Sequence, residues 1–182
     1  RASVAITDTS GTTLTNYQVK IVVTYDSDMR SDFSDIRFVT NDGELLSYWC
    51  ASYTAGSIAT YWVKVPSIPA LSNTTIQMYY GNPTVSTTSD IHNTFLWGDD
   101  FNDATWTGNN THAVNYSTAT QYVQNGQYHL QGNAADEPIA EIYESGALKQ
   151  FPPNYIVEAD VESPQNKTGG AYITPRYNSV MD

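Results

Sequence analysis

The residues best suited to chemistry are the acidic run Glu158-Ala159-Asp160-Val161-Glu162. On a strand, side chains at i, i+2 and i+4 point to one face, spaced about 6.6 Å per step. Retaining glycosidases hold two carboxylates roughly 5–5.5 Å apart across a cleft, one to attack and one to move a proton. The span from Glu158 to Glu162 is longer than that unless the strand curves and both side chains lean inward. Plain solvation is the competing account. Tyr155, Val157, Ala159 and Val161 alternate with Ile156, Glu158, Asp160 and Glu162, so one face is apolar and the other largely acidic. An acidic face turned to water needs no reaction, and no catalytic residue is favoured.

Three other groups carry chemical residue types. Asp99, Asp100 and Asp103 form an oxygen-rich cluster, the donor type that calcium takes at about 2.3–2.6 Å. Their spacing does not fit an EF-hand, and a capped turn explains them equally well. Trp97 and Trp106 are candidate sugar-stacking platforms, although aromatic side chains also dominate the cores and contacts of β proteins. Cys50 is the one cysteine, set in a strand-like run with no histidine near it in sequence. It is expected as a small packed side chain, with no intrachain disulfide. His92, His112 and His129 fall at spacings unrelated to a zinc site.

The elements that must position these residues are strands. The 182 residues hold eight Lys and Arg against nineteen Asp and Glu, a net charge of −11. Such a chain repels a phosphate backbone, so nucleic acid is excluded as a partner. No apolar run reaches membrane-spanning length, so membrane insertion is not expected. No cofactor is required, calcium apart. Asn73, Asn109, Asn115 and Asn166 each open an Asn-x-Ser/Thr glycosylation pattern, which suits an address outside the cell. Asn82-Pro83-Thr84 does not qualify, because proline blocks the middle position.

Period-2 stretches recur between Gly, Pro and Asn clusters, and no helical stripe stands out. Strands are predicted at 3–7, 17–24, 36–39, 48–52, 59–65 and 74–80. In the fifth, Tyr61, Val63 and Val65 oppose Trp62 and Lys64; in the sixth, Ile76, Met78 and Tyr80 share a face. Turns are expected at 9–12, at Asn41-Asp42-Gly43 and at Pro66-Ser67-Ile68-Pro69. Asn125-Gly126, between Tyr122-Val123-Gln124 and Gln127 to Leu130, signals a two-residue hairpin. The fold class is therefore all-β.

Asp35-Ile36-Arg37-Phe38, Trp62-Val63-Lys64-Val65-Pro66 and Tyr79-Tyr80-Gly81-Asn82-Pro83, in that order, resemble domain-of-unknown-function family 2341 of archaeal and bacterial extracellular and envelope proteins. The resemblance spans about residues 1 to 90 and implies a β-sandwich at the cell surface with no catalytic role. Residues 84–93 then read as a polar linker, with the joint at 91–98. From 99 to 182, Asp99-Asp100-Phe101 and the strands after it resemble concanavalin A-like and laminin-G-like jelly rolls. That likeness implies a calcium near Asp100 and Asp99. It also implies a second sandwich that 99–182 is too short to complete, to be finished by a neighbour's strands or by further chain. The Glu158 strand resembles the active strand of jelly-roll glucanases, which would make Glu158 the nucleophile, Asp160 its electrostatic partner and Glu162 the acid/base.

The expectation is a non-enzymatic surface building block of two β-sandwiches (a surface layer, filament or adhesin) that self-associates or joins neighbouring surface proteins. A calcium-dependent, glycan-binding lectin-like module is the alternative, and a glycoside hydrolase the second alternative.

Overall fold

Strand periodicity predicts where the core lies. In the fifth strand Ala59, Tyr61, Val63 and Val65 are all buried, whereas Thr60, Trp62 and Lys64 between them are only half-buried. The computed structural model describes residues 1–96, 98–102, 111–114, 120–131, 140–143, 156 and 158. Among these the protein is nearly all β, built of several antiparallel sheets. The chain divides into two compact units, Arg1–Asp100 and Phe101–Asp182.

In the first unit, β1 (Ala2–Thr7), β6 (Asn73–Tyr79) and β3 (Arg37–Val39) form one sheet in that order. The second sheet runs β2 (Leu14–Thr24), β5 (Ile58–Ile68), β4 (Tyr48–Thr54). Ile76, Met78 and Phe38 from the first sheet share one core with Ile21, Val23, Tyr48, Tyr61, Val63 and Val65 from the second. Phe38, Tyr48 and Tyr61 meet edge to face, with ring centroids 5.4–5.7 Å apart, the arrangement that aromatic quadrupoles favour. The buried Tyr61 hydroxyl donates to Phe33 O at 3.1 Å, and burial raises its pKa far above the usual phenol range.

All six expected strands form; β2, β4 and β5 run longer than expected, and β5 does so into a stretch read as a turn. β5 passes through Pro66 to Ile68, where a turn was predicted. Lys64 N donates to Ser47 O, on the β4 side of the strand. Two residues on, Pro66 faces that same side beyond the start of β4, so its missing N–H breaks no ladder bond.

The stretch read as a linker and joint is docked on the first unit. A single helical turn, α1 (Ile91–Thr94), follows Asp90, whose side chain caps it by accepting from Asn93 N at 2.9 Å. Asp90 N in turn donates to Tyr48 O at 2.8 Å. Ile91 and Thr94 are buried, and Gly98 lies so close to Ile91 that an added Cβ would stand 2.7 Å from its Cγ1.

In the second unit β7 (Thr111–Val114) pairs with β10 (Ala140–Tyr143), and β8 (Thr120–Gln124) with β9 (Gln127–Gln131). The β8–β9 hairpin turns at Asn125-Gly126, with φ of 54° and 69°. Two left-handed residues in succession match the strand twist, which is why Asn-Gly is favoured there.

Candidate functional site

Two of the three stretches that carry the family resemblance, 35–38 and 79–83, meet at one edge of the first unit, while the third lies on the central strand β5. Asp35 is 2% exposed and sits in the turn ahead of β3. Its carboxylate accepts from Arg30 N at 3.1 Å and from Gly81 N at 2.6 Å, fastening the exit of β6 to that turn. A buried carboxylate is tolerated only when its lone pairs are met, and here backbone amides meet them.

Arg37 works from the other side. Its guanidinium donates to Ser34 O at 3.1 Å, Ile36 O at 2.6 Å and Tyr48 Oη at 3.2 Å, and it also reaches Ser86 O. The Tyr48 hydroxyl donates to Ile36 O at 2.9 Å and accepts from Thr88 N and Thr88 Oγ1. Arg30 Nη1 donates to Pro83 O at 2.7 Å, and Cys50 N donates to Ser89 Oγ at 2.8 Å. Residues 83–90 are thus strapped down chiefly through their backbone, a job suited to the guanidinium's rigid fork of donors.

The strap then crosses the outer face of the β2-β5-β4 sheet. Trp49 and Trp62 are cross-strand partners there, and the Phe95 ring packs against both, with centroids 5.9 and 5.8 Å away. Lys64 Nζ donates to Asn93 O at 3.2 Å and Gln18 Nε2 to Thr94 O at 2.9 Å, while Lys20 Nζ lies 6.0 Å from the Trp62 ring. Beside the strap is a shallow, open depression of about 330 Å³, lined by Leu45, Leu46, Ser47, Thr88, Asp90 and Asn93.

Among the described residues two carboxylates titrate away from their ordinary range. Asp32 is held down to about 2 by the hydrogen bond from Arg30 (Nε–Oδ1 3.2 Å) and then by the bonds from Ser34. Asp8 is lowered by bonds from Ser10 above all, and its Oδ2 also accepts from Leu71 N at 3.2 Å. The Cys50 thiol is pushed up by burial, as befits a half-buried side chain packed against the core.

Glu158 is exposed, and Asp160 and Glu162 lie outside the described residues. Asp99 and Asp100 are half-buried and each already makes an interaction within the protein; Asp103 lies outside the described residues. Among the described residues no three His, Cys, Asp or Glu side chains come together as a metal site would need. Trp97, Trp106, Asn109, Asn115 and Asn166 also lie outside the described residues, whereas Asn73 is exposed at the start of β6. His92 is in α1, and His129 stacks on Tyr122 across the β8–β9 hairpin at 4.7 Å.

The strap itself was not legible as such from sequence. Its traces are Asp90 placed to cap a turn ending in Asn93-Thr94, and Phe95 coming directly after a polar run.

The fold defines an antiparallel β protein whose distinctive residues bind its own chain. It belongs to the family described as Domain of unknown function (DUF2341), which matches residues 32–125. The match begins at Asp32 and runs past residue 90 across the strap to Asn125. No curated protein and no solved structure matches the chain.

Proposed function

We propose that the protein is a non-enzymatic building block of the cell exterior, contributing to a surface layer, filament or adhesin. Its first unit is a β-sandwich module, and its second is a concanavalin A-like or laminin-G-like sandwich. The observation that carries this reading is the use made of Asp35, Arg37, Tyr48 and Trp62. Residue types that elsewhere polarise, protonate or stack on a ligand are engaged here with carbonyls, amides and rings of the same chain. Side chains engaged in this way make a scaffold, and a scaffold acts through its surfaces.

The surface best suited to assembly is β2. Among the described strands it stands at the edge of its sheet, with eleven residues, and Val22 on it is 56% exposed. Tyr25 N donates to Ser57 O, so the odd-numbered residues of this register bond toward β5. Alternation then turns the amides of Gln18, Lys20, Val22 and Thr24 outward, where another strand can add.

Size-exclusion chromatography with light scattering tests the reading. The mass should rise with concentration, and Val22→Pro, which removes an outward donor and leaves the β5 ladder whole, should suppress the rise. One monomeric mass at every concentration overturns the assembly role. Turnover of a β-glucan by the unmodified protein overturns the non-enzymatic one.

A further inference from the structure

We propose that Asn73 is a glycan attachment site, its side-chain amide taking an oligosaccharide from a polyisoprenyl-diphosphate donor. Asn73-Thr74-Thr75 has the acceptor pattern, and the folded chain presents it well. Asn73 is the first residue of β6, directly after the turn at 70–72, and it is exposed. Ile76 and Met78 of the same strand are buried beneath, so the period of 2 sets Asn73 and Thr75 together on the outer face. The amide and the hydroxyl that the pattern requires therefore share one side of the sheet. Thr7 Oγ1, on the paired strand β1, donates to Asn73 Oδ1 at 2.8 Å. This bond holds the carbonyl oxygen toward β1 and aims Nδ2 the other way.

Asn82-Pro83-Thr84 provides a contrast within the same unit. Asn82 Oδ1 accepts from Thr84 N at 3.1 Å and from Thr84 Oγ1 at 2.9 Å, so that amide is folded onto its own threonine behind a proline. The transfer at Asn73 is a simple substitution. A bond forms between Nδ2 and the anomeric carbon as the bond from that carbon to the diphosphate oxygen breaks. The lipid diphosphate leaves with the electron pair, the amide's one lost proton passes through solvent water to that diphosphate or the buffer, and nothing is oxidised or reduced.

The site rests on the extracellular part of the proposed function and not on assembly. To test it, the folded full-length chain is incubated with an N-oligosaccharyltransferase and a polyisoprenyl-diphosphate oligosaccharide, with a short acceptor peptide as positive control. Peptide mass spectrometry should show the Asn73 peptide heavier by one transferred oligosaccharide and the Asn82 peptide unchanged. Asn73→Asp keeps an acceptor for the Thr7 bond but lacks the amide, and Thr75→Ala lacks the hydroxyl. Both should lose the added mass, whereas Thr75→Ser should keep it. A bare Asn73 peptide alongside a glycosylated control peptide overturns the site, whether or not other positions are loaded. If the bare chain still self-associates, the building-block reading stands without it.

Discussion

The two faces of strand β5 are closed in different ways. On the inner face Tyr61, Val63 and Val65 meet the opposite sheet and are at most 1% exposed. On the outer face Trp62 and Lys64 are half-buried, and their cover is one stretch of chain, Asn93 to Phe95, arriving from the end of the unit. The inner face is sealed by apolar contact between whole sheets, which is strong and tolerant of detail. The outer face depends on a few directed bonds and one ring. The first kind of closure supports the fold; the second settles where the chain leaves it.

Truncation should separate the two faces. Tyr61→Ala removes a ring packed on Phe38 and Tyr48 together with its bond to Phe33 O. Its expected cost is about 3–5 kcal/mol, as for other buried aromatic truncations, read as a lower denaturant midpoint for the first unit. Phe95→Ala should cost less, about 1–2 kcal/mol for two edge-to-face contacts. Its signature is local: tryptophan emission should shift to the red and protease should cut within 84–95, with a smaller fall in the midpoint than for Tyr61→Ala. Equal losses from the two variants would mean that the faces are not distinct.

The smallest effect belongs to the rim. The Arg30–Asp32 pair is exposed on both sides, so solvent screens it. Asp32 titrates near 2 in the fold against an ordinary value of 3.8. The folded state therefore favours the ionised form, and its stabilisation is present above pH 3.8 and lost as pH falls toward 2. Melting temperature measured between pH 5 and 2 should fall less steeply for Asp32→Asn than for the unmodified protein. Parallel curves would show that the pair contributes nothing.

Much of this was legible in the residues. The inward set of β5 and the shared face of Ile76 and Met78 follow from alternation, and the Asn125-Gly126 hairpin from turn chemistry. Pro66 misled, because a proline was read as a break when its missing donor faces a side without a strand. Residues 84–93 misled in the same direction. Their polarity suits a solvated linker, but Ser86 O meets Arg37, Thr88 N meets the Tyr48 hydroxyl and Asp90 N meets Tyr48 O, with Pro83 and Thr94 on either side bonded to Arg30 and Gln18. Of the acidic and aromatic candidates between 97 and 162, Asp99, Asp100 and Glu158 are among the described residues.

Local pattern alone determined that this chain is a β protein, how the two faces of β5 and β6 divide, and where its tight hairpin bends, because side-chain alternation and backbone sterics act over a few residues. Only the tertiary structure decided that Asp35 clasps Gly81, that Arg37 holds the strap and that Phe95 roofs two tryptophans. Those contacts join residues far apart in the chain and form mainly through backbone groups, which every residue carries alike and which therefore leave little mark in its sequence.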